Sequence, residues 1–402
     1  MNLPKFGSSS SSKGSGAINI LWIVLFGAFV VFGGLLIGTL APHMLPIAGS
    51  TQAVQVDQLF QVMLVIGGAI FLLVEGLLLI SAIHWRKRKG DNSDGPPIHG
   101  NTTIELIWTI IPAIIVIMLT VYAYTVWNNT RAAQPDEQQV GALGQRFAWT
   151  FSYEAGLDDL PPNVDVSTLP DAEMQASLTS GEKVVFQSPQ LHTWVGQQVD
   201  VVMHTDDVNH AFWIPGMRIK QDLLAGLVTN IRFNPIEPGV YRIVCAELCG
   251  GGHGDMAGKV SSDGDLVGAW LIVHPDEETY LNEFYYPELM SVLYPPTDPV
   301  ELGREVIQDF PCSGCHTLSA LGWTGVTGPA LDGVASRTQR LAATGNATMS
   351  DYIHQSIRNP SAYVVPGYNN VMLQFHPDPG QPNYMSDADL DAIVAYLLTQ
   401  TQ

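Results

Sequence analysis

Between Ala17 and Leu40 the chain runs for twenty-four residues without a charged side chain. As a helix this run is about 36 Å long, enough to cross a hydrocarbon core of roughly 30 Å. A secretory signal is the alternative, but the run is long for one and no clean small-x-small cleavage site follows. It reads as a retained helix. Two more apolar runs follow, from Gln58 to about Ile83 and from Ile104 to about Val126. The third closes on Tyr122, Tyr124 and Trp127, rings of the kind that collect at a membrane interface.

Positive charge orients the three spans. The loop from Ala41 to Asp57 carries no Lys or Arg, whereas the second span ends in His84-Trp85-Arg86-Lys87-Arg88-Lys89. That bias predicts residues 86–103 in the cytoplasm, together with a Ser/Gly-rich disordered tail over 1–16, and everything after Trp127 outside. Glu75 falls mid-span, where a carboxylate is costly without a partner or a role. A packed polar contact to another subunit and a proton role both fit it. Glu105 falls in the first turn of its helix, where the helix dipole favours an acid.

The net charge of −20 is unevenly spread. Through Trp127 there are six Lys/Arg against five Asp/Glu, and the remainder holds twelve against thirty-three. A half this acidic does not bind nucleic acid, and it attracts a basic protein partner in a salt-dependent way.

From about Gly144 the pattern changes to short alternating runs. Residues 145–153 alternate as a first strand, and 155–182 are acidic, Pro-containing and aperiodic, as in a surface insertion. Strands are expected again at 184–187, 198–204, 229–234, 239–244 and 269–274. This spacing predicts an all-β Greek-key sandwich or barrel.

Inside that region lies Cys245-Ala246-Glu247-Leu248-Cys249-Gly250-Gly251-Gly252-His253-Gly254-Asp255-Met256. Thiolate, imidazole and thioether together suit copper, while a hard cation would want oxygens. The glycines let the backbone fold back around a compact centre. A local disulfide or a zinc loop is the alternative, disfavoured by His and Met at these offsets. Further on, Pro295-Pro296-Thr297-Asp298-Pro299 reads as a linker, and a short helix over 300–310 delivers Cys312-Ser313-Gly314-Cys315-His316. This is the c-type haem attachment pattern: two thiols add across the haem vinyl groups and the adjacent histidine ligates iron. Met349, Met372 and Met385 are candidates for the second axial ligand. The four cysteines are then all used, and none remains for a structural disulfide.

The Cys245–Met256 loop resembles the CuA loop of cytochrome c oxidase subunit II, whose two bridging cysteines hold a dinuclear copper pair. Asn209-His210-Ala211-Phe212-Trp213-Ile214-Pro215 is similar to the family's upstream histidine segment. The resemblance implies a cupredoxin barrel with copper ligands His210, Cys245, the Glu247 carbonyl, Cys249, His253 and Met256. It also implies a magnesium on the Glu247 carboxylate, shared with subunit I. His192, His204 and His274 match no ligand position and are expected to be surface or structural. Thr103-Ile104-Glu105-Leu106-Ile107-Trp108-Thr109-Ile110-Ile111-Pro112 resembles the family's second-helix start, which puts Glu105 at the mouth of a proton path. The family's first strand carries a Gln-Trp-x-Trp string whose first Trp receives electrons from cytochrome c. Here Phe147 stands at that position and Trp149 at the second.

The last hundred residues resemble class I cytochrome c in the haem motif, in Gly328-Pro329-Ala330-Leu331 and in a closing helix over 387–399. Met372 follows Pro366-Gly367-Tyr368-Asn369-Asn370 as that family's ligand loop does, so the resemblance selects it. Together these imply a tail (1–16), a transmembrane region (17–127, helices about 17–40, 58–83 and 104–126), a cupredoxin CuA domain (128–294, insertion 155–182) and an all-α cytochrome c domain (295–402). The implied function is electron input to a caa-type oxidase in a bacterial cell membrane, multi-pass, with CuA and haem on the outer face. Electrons would pass from a soluble donor, a cytochrome c or small copper protein, through haem c and CuA to the haem–copper site of subunit I. There oxygen is reduced to water with proton pumping; subunit III and membrane lipid are further partners, and no catalytic residue lies in this chain. The CuA subunit of a nitric oxide reductase and a membrane-tethered copper-binding protein are the alternatives. The haem motif disfavours the second.

Overall fold

The computed structural model describes residues 15–84, 86, 89–90, 100–260, 264, 266–379, 381 and 383–402. Nearly all of the expected tail, residues 1–14, lies outside the described residues, as do Trp85, Lys87 and Arg88 of the basic run. The chain divides into two units, Met1–Pro46 with Val54–Asn128, and Ile47–Ala53 with Asn129–Gln402.

Helices α1 (Ser15–Leu40), α2 (Thr51–His84) and α3 (Thr102–Arg131) are, among the described residues, the three long and apolar enough to cross a membrane. Two of them outrun the apolar stretches that announce them. The first turns of α2 carry Gln52, Gln55 and Asp57, because helical hydrogen bonding continues past the point where hydropathy falls. The start of α3 is set by Asn101, whose Oδ1 accepts from the Thr103 and Ile104 amides at 3.1 and 3.3 Å. Glu105 returns the favour, accepting the Asn101 N–H at 3.1 Å, a reciprocal cap. Glycines let α1 lie close on α2: a Cβ on Gly34 would stand 2.7 Å from the Val65 carbonyl. Glu75 lies mid-helix in α2 with its side chain exposed.

The second unit holds a β-sandwich and a helical module. Strands β1 (Gln138–Gln145) and β2 (Ala148–Ala155) form a hairpin. After helix α4 (Ala172–Ser180) come β3 (Val184–Ser188), β4 (Leu191–Trp194), β5 (Val199–Thr205), β6 (His210–Ile214), β7 (Ile219–Leu223), β8 (Thr229–Phe233), β9 (Gly239–Arg242), β10 (Val244–Cys245), β11 (Lys259–Val260), β12 (Leu266–Val267) and β13 (Trp270–His274). One sheet runs β3-β2-β1-β5-β8; facing ones run β10-β6-β7 and β4-β13-β9. Alternate side chains (Trp149, Phe151 and Tyr153 on β2; Val199, Val201 and Met203 on β5) turn inward to one core with Phe212 and Leu271. The sandwich is cupredoxin-like.

The structure corrects three expectations. The strand expected at 145–153 is the second, shifted to 148–155, and β1 precedes it. The run QQVGALGQ hides a strand because its glycines carry no pattern, yet Gly144 is needed: a Cβ there would stand 3.0 Å from both Leu223 and Trp149. The insertion 155–182 is not aperiodic. It contains α4, capped by Asp171 on the amides of Glu173 and Met174 and ended at Gly181, whose φ of 90° suits glycine. Strands β4, β6, β7, β11 and β12 were not expected from the sequence.

After β13 comes a helical run, α5 (Glu277–Tyr280), a π turn (Leu281–Tyr285) and α6 (Tyr286–Leu293), which adds Tyr280, Phe284, Leu289 and Leu293 to the sandwich core. The segment Ile47–Ala53 joins the same unit: Gly49 N–H donates to Gly216 O at 2.9 Å and Ser50 Oγ to Met217 O at 2.9 Å. Then α7 (Pro299–Val306), capped by Asp298, leads to the short pair β14 (Thr317–Leu318) and β15 (Trp323–Thr324), and to α8 (Gln339–Thr344), α9 (Met349–Arg358) and α10 (Asp387–Leu397). Gly303 lets α7 cross α10 in contact, since a Cβ there would stand 1.9 Å from the Ala392 carbonyl. A separate core of Ile307, Ile353, Leu390, Ile393 and Leu397 fills the module.

Phe284 stacks on His192 with ring centroids 3.7 Å apart and meets Tyr153 edge-on at 5.0 Å. Phe284→Ala should therefore cost the second unit about 3–5 kcal/mol, the usual range for a buried Phe. Urea unfolding followed by tryptophan fluorescence checks it.

Candidate metal centre and haem cleft

Strand β6 begins at His210 and pairs antiparallel with β10, so that Cys245 lies opposite Phe212. The pairing brings the His210 imidazole to Cys245 across thirty-five residues of chain, Nδ1 to Sγ 3.9 Å. The loop after β10 then turns back on itself. Cys245 Sγ lies 4.0 Å from Cys249 Sγ and 3.1 Å from the Glu247 carbonyl. Cys249 Sγ is 3.5 Å from His253 Nδ1 and 3.4 Å from Met256 Sδ. All six donors singled out in the sequence thus fall in one cluster. The sulfurs are far beyond the roughly 2.05 Å of a disulfide, and all four cysteines are free.

Polar groups hold this cluster in place. Asp207 Oδ1 accepts from His210 Nε2 at 2.9 Å, which fixes the ring with Nδ1 facing the sulfurs. Asp207 Oδ2 accepts from the Arg146 backbone N–H at 2.9 Å and from Arg146 Nε at 3.1 Å. Burial pushes the Asp207 carboxyl up, but the bonds from His210, Val208 and Arg146 outweigh it and hold it well below the usual range. For His210 burial pulls downward, and the bonds to Asp207 and Cys245 outweigh it. The hydrogen bond with Cys249 holds Cys245 below the ordinary thiol range, and the same contact keeps Cys249 above it. Asp207 and Arg146 were not legible in the sequence, since neither sits in a spacing that metal chemistry requires.

Phe147 and Trp149 are both buried. The Trp149 ring stands edge-on to His210 at 6.1 Å and to Phe212 at 5.3 Å, and its indole Nε1 has no hydrogen-bond partner. The Glu247 side chain is exposed at the tip of the loop. His192 and His274 lie elsewhere, paired Nδ1 to Nε2 at 3.1 Å in the sandwich, and His204 is exposed.

In the helical module a largely apolar cleft is lined by Cys312, Cys315, His316, Met372, Arg340 and Tyr352 among others. His316 Nδ1–H donates to the Pro329 carbonyl at 2.7 Å, so its Nε2 is free to bind a metal. Gly328 allows the ring its place: a Cβ would stand 2.7 Å from His316 Cε1. Burial holds His316 below its ordinary range and pushes the thiols of Cys312 and Cys315 up to about 12 and about 11. Met372 lines the cleft, whereas Met349 and Met385 are buried in the module core away from it. Arg340, also unsuspected from the sequence, is a buried cation beside the cleft, bonded to Tyr352 OH at 3.2 Å. An apolar cleft with two thiols, an axial-type histidine, a thioether and a cation fits an anionic macrocycle such as haem.

Known proteins divide the chain in the same way. Residues 39–126 match the transmembrane domain of cytochrome c oxidase subunit II, 138–262 its periplasmic domain, and 300–401 cytochrome c. The cytochrome c oxidase subunit 2 of Synechocystis sp. is 36% identical over 243 residues, which cover 53% of this chain and 70% of that one. That of Alkalihalophilus pseudofirmus is 27% identical over 344 residues, covering 83% and 84%. A crystal structure of the periplasmic domain of subunit II of cytochrome oxidase of Bradyrhizobium japonicum covers 40% of this chain and 99% of its own, at 17% identity and a TM-score of 0.27. A subunit II domain pair followed by a cytochrome c domain is an electron-input arrangement, and the chain belongs to the cytochrome c oxidase subunit II family.

Proposed function

We propose that the chain feeds electrons to the haem–copper, oxygen-reducing and proton-pumping subunit I of an aerobic terminal oxidase in a bacterial membrane. The observation that carries this reading is the convergence of two thiols, an imidazole, a thioether and a backbone carbonyl of the 245–256 loop with the buried His210 imidazole of β6. His210, Cys245, Glu247 (through its carbonyl), Cys249, His253 and Met256 would hold a dinuclear CuA pair. Cys312 and Cys315 would hold haem covalently, and His316 and Met372 would bind its iron. When bound, both groups take up and release single electrons without moving protons.

The residues do the rest. Asp207 fixes the His210 tautomer, and the strand pairing keeps the donors from shifting, which suits a centre whose charge changes often. The exposed Glu247 carboxylate is free to share a magnesium with subunit I. Glu105, already tied into the α3 cap, would stand at the mouth of a proton path in that subunit. A soluble cytochrome c or small copper protein of basic surface would be the donor, subunit III a further neighbour, and the outer face the site of both groups. Because the family's receiving tryptophan is Phe147 here, the fused haem serves as the regular way in.

Three measurements test this reading. Cys249→Ser should abolish the mixed-valence copper resonance and leave haem staining untouched; an unchanged resonance would mean another copper site. Met372→Ala should keep the haem attached, lower its potential and open the iron to carbon monoxide, because an axial Met raises the potential. Deleting residues 297–402 should slow turnover with the native donor sharply while the copper spectrum survives, since tethering supplies roughly millimolar effective concentration. A truncated enzyme that turns over at full rate would refute the haem route.

A further inference from the structure

The haem motif rests directly on the hairpin turn that leads into β2. Gly314 is buried, and a Cβ on it would stand 2.2 Å from the Phe147 carbonyl oxygen and 2.6 Å from its carbon. The contact is backbone against backbone, which a side chain cannot escape by rotating. The next residue, Cys315, packs against the sandwich core. The Phe147 ring points the other way, into the copper loop: a Cβ on Gly252 would stand 2.3 Å from its Cδ2, and one on Gly250 3.1 Å from its Cζ. Phe147 is 1% exposed, enclosed between the two loops. Arg146, beside it, is anchored to Asp207 and through it to His210. Thr327 Oγ1, donating to Asp255 Oδ2 at 3.4 Å, and Gln145, donating to Asn383, add contacts at the rim.

Haem attachment by a Cys-x-x-Cys-His motif requires the two thiols and the histidine; it places no demand on the residue before the second cysteine. The need for glycine at 314 comes from the other module. We infer that Gly314 is a positioning residue that seats the cytochrome module on the Arg146-Phe147 turn and so sets the rate of electron transfer within the chain. This rests on the proposed haem route. In that step one electron leaves the reduced haem iron and enters the oxidised copper pair, and no bond or proton moves. Because tunnelling falls off exponentially with the gap, a seat widened by one side chain slows it out of proportion to the displacement.

The test uses full-length chains in the assembled oxidase, comparing the parent with Gly314→Ala and Gly314→Val. Hydrogen exchange is followed in peptides spanning Phe147 and Gly250–Gly252, and reoxidation of the haem is timed after photoreduction, on haem-loaded molecules only. The expected result is faster exchange in both peptides and reoxidation slowed severalfold by Ala and further by Val, with both optical spectra retained. Unchanged exchange, or unchanged reoxidation, in both variants overturns the inference. Where Gly314 variants load too little haem, Phe147→Leu asks the same question from the copper side, withdrawing the ring from Gly252 and leaving the haem motif intact. Slowed reoxidation supports the seat and unchanged reoxidation overturns it. The truncation of residues 297–402 judges the haem route separately, since a full-rate truncated enzyme would leave the measured seat standing.

Discussion

The pairing of β6 with β10 is the constraint on which the copper loop depends. The bond from the Ala246 amide to the Ala211 carbonyl, 2.9 Å, extends that ladder into the loop and fixes Cys245 beside His210. The far end is tied back just as firmly: the Gly258 amide donates to Ile243 O at 3.3 Å and Arg242 Nε to Gly258 O at 2.9 Å. Such bonds are worth about 1 kcal/mol each in net stability, so energy is not their main contribution. They close the loop at its base, so that its donor groups converge inside it.

The two candidate sites are built on opposite principles. The copper loop has polar support, with the Asp207 carboxylate on His210 and Arg146 on that carboxylate. The haem cleft is a wide apolar hollow in which thiols stay protonated and the one fixed histidine is neutral. A small charged centre is held by aimed donors; a large flat ring is held mainly by surface. Both nonetheless use one device, a hydrogen bond donated by the outer nitrogen of a histidine, to Asp207 in one and to the Pro329 carbonyl in the other.

What could be read from the sequence was what chemistry demands at short range. CxxxC, CxxCH and three apolar runs need their spacing locally, and the structure keeps all of them. His210 was legible only by resemblance, because its link to Cys245 spans thirty-five residues. Asp207, sixty-one residues from Arg146, and the seat of Gly314 on Phe147 depend on sheet register and domain packing, which no local pattern encodes. The same holds for β1, hidden by its glycines, and for α4, whose single turn signals at Asp171 and Gly181 sit in an otherwise loop-like composition. The helical run 277–293 went unread because its aromatic residues serve the sandwich and not a core of their own.

Trp149 carries a consequence of a different kind. Its indole is buried in an apolar wall with the N–H unpaired, so it will fluoresce toward the blue while the loop is empty. Standing 6.1 Å from the His210 ring, it lies within range of quenching by any redox-active ion that settles on that histidine. The protein therefore holds an intrinsic optical reporter beside its own metal loop, able to follow loading in real time without a label.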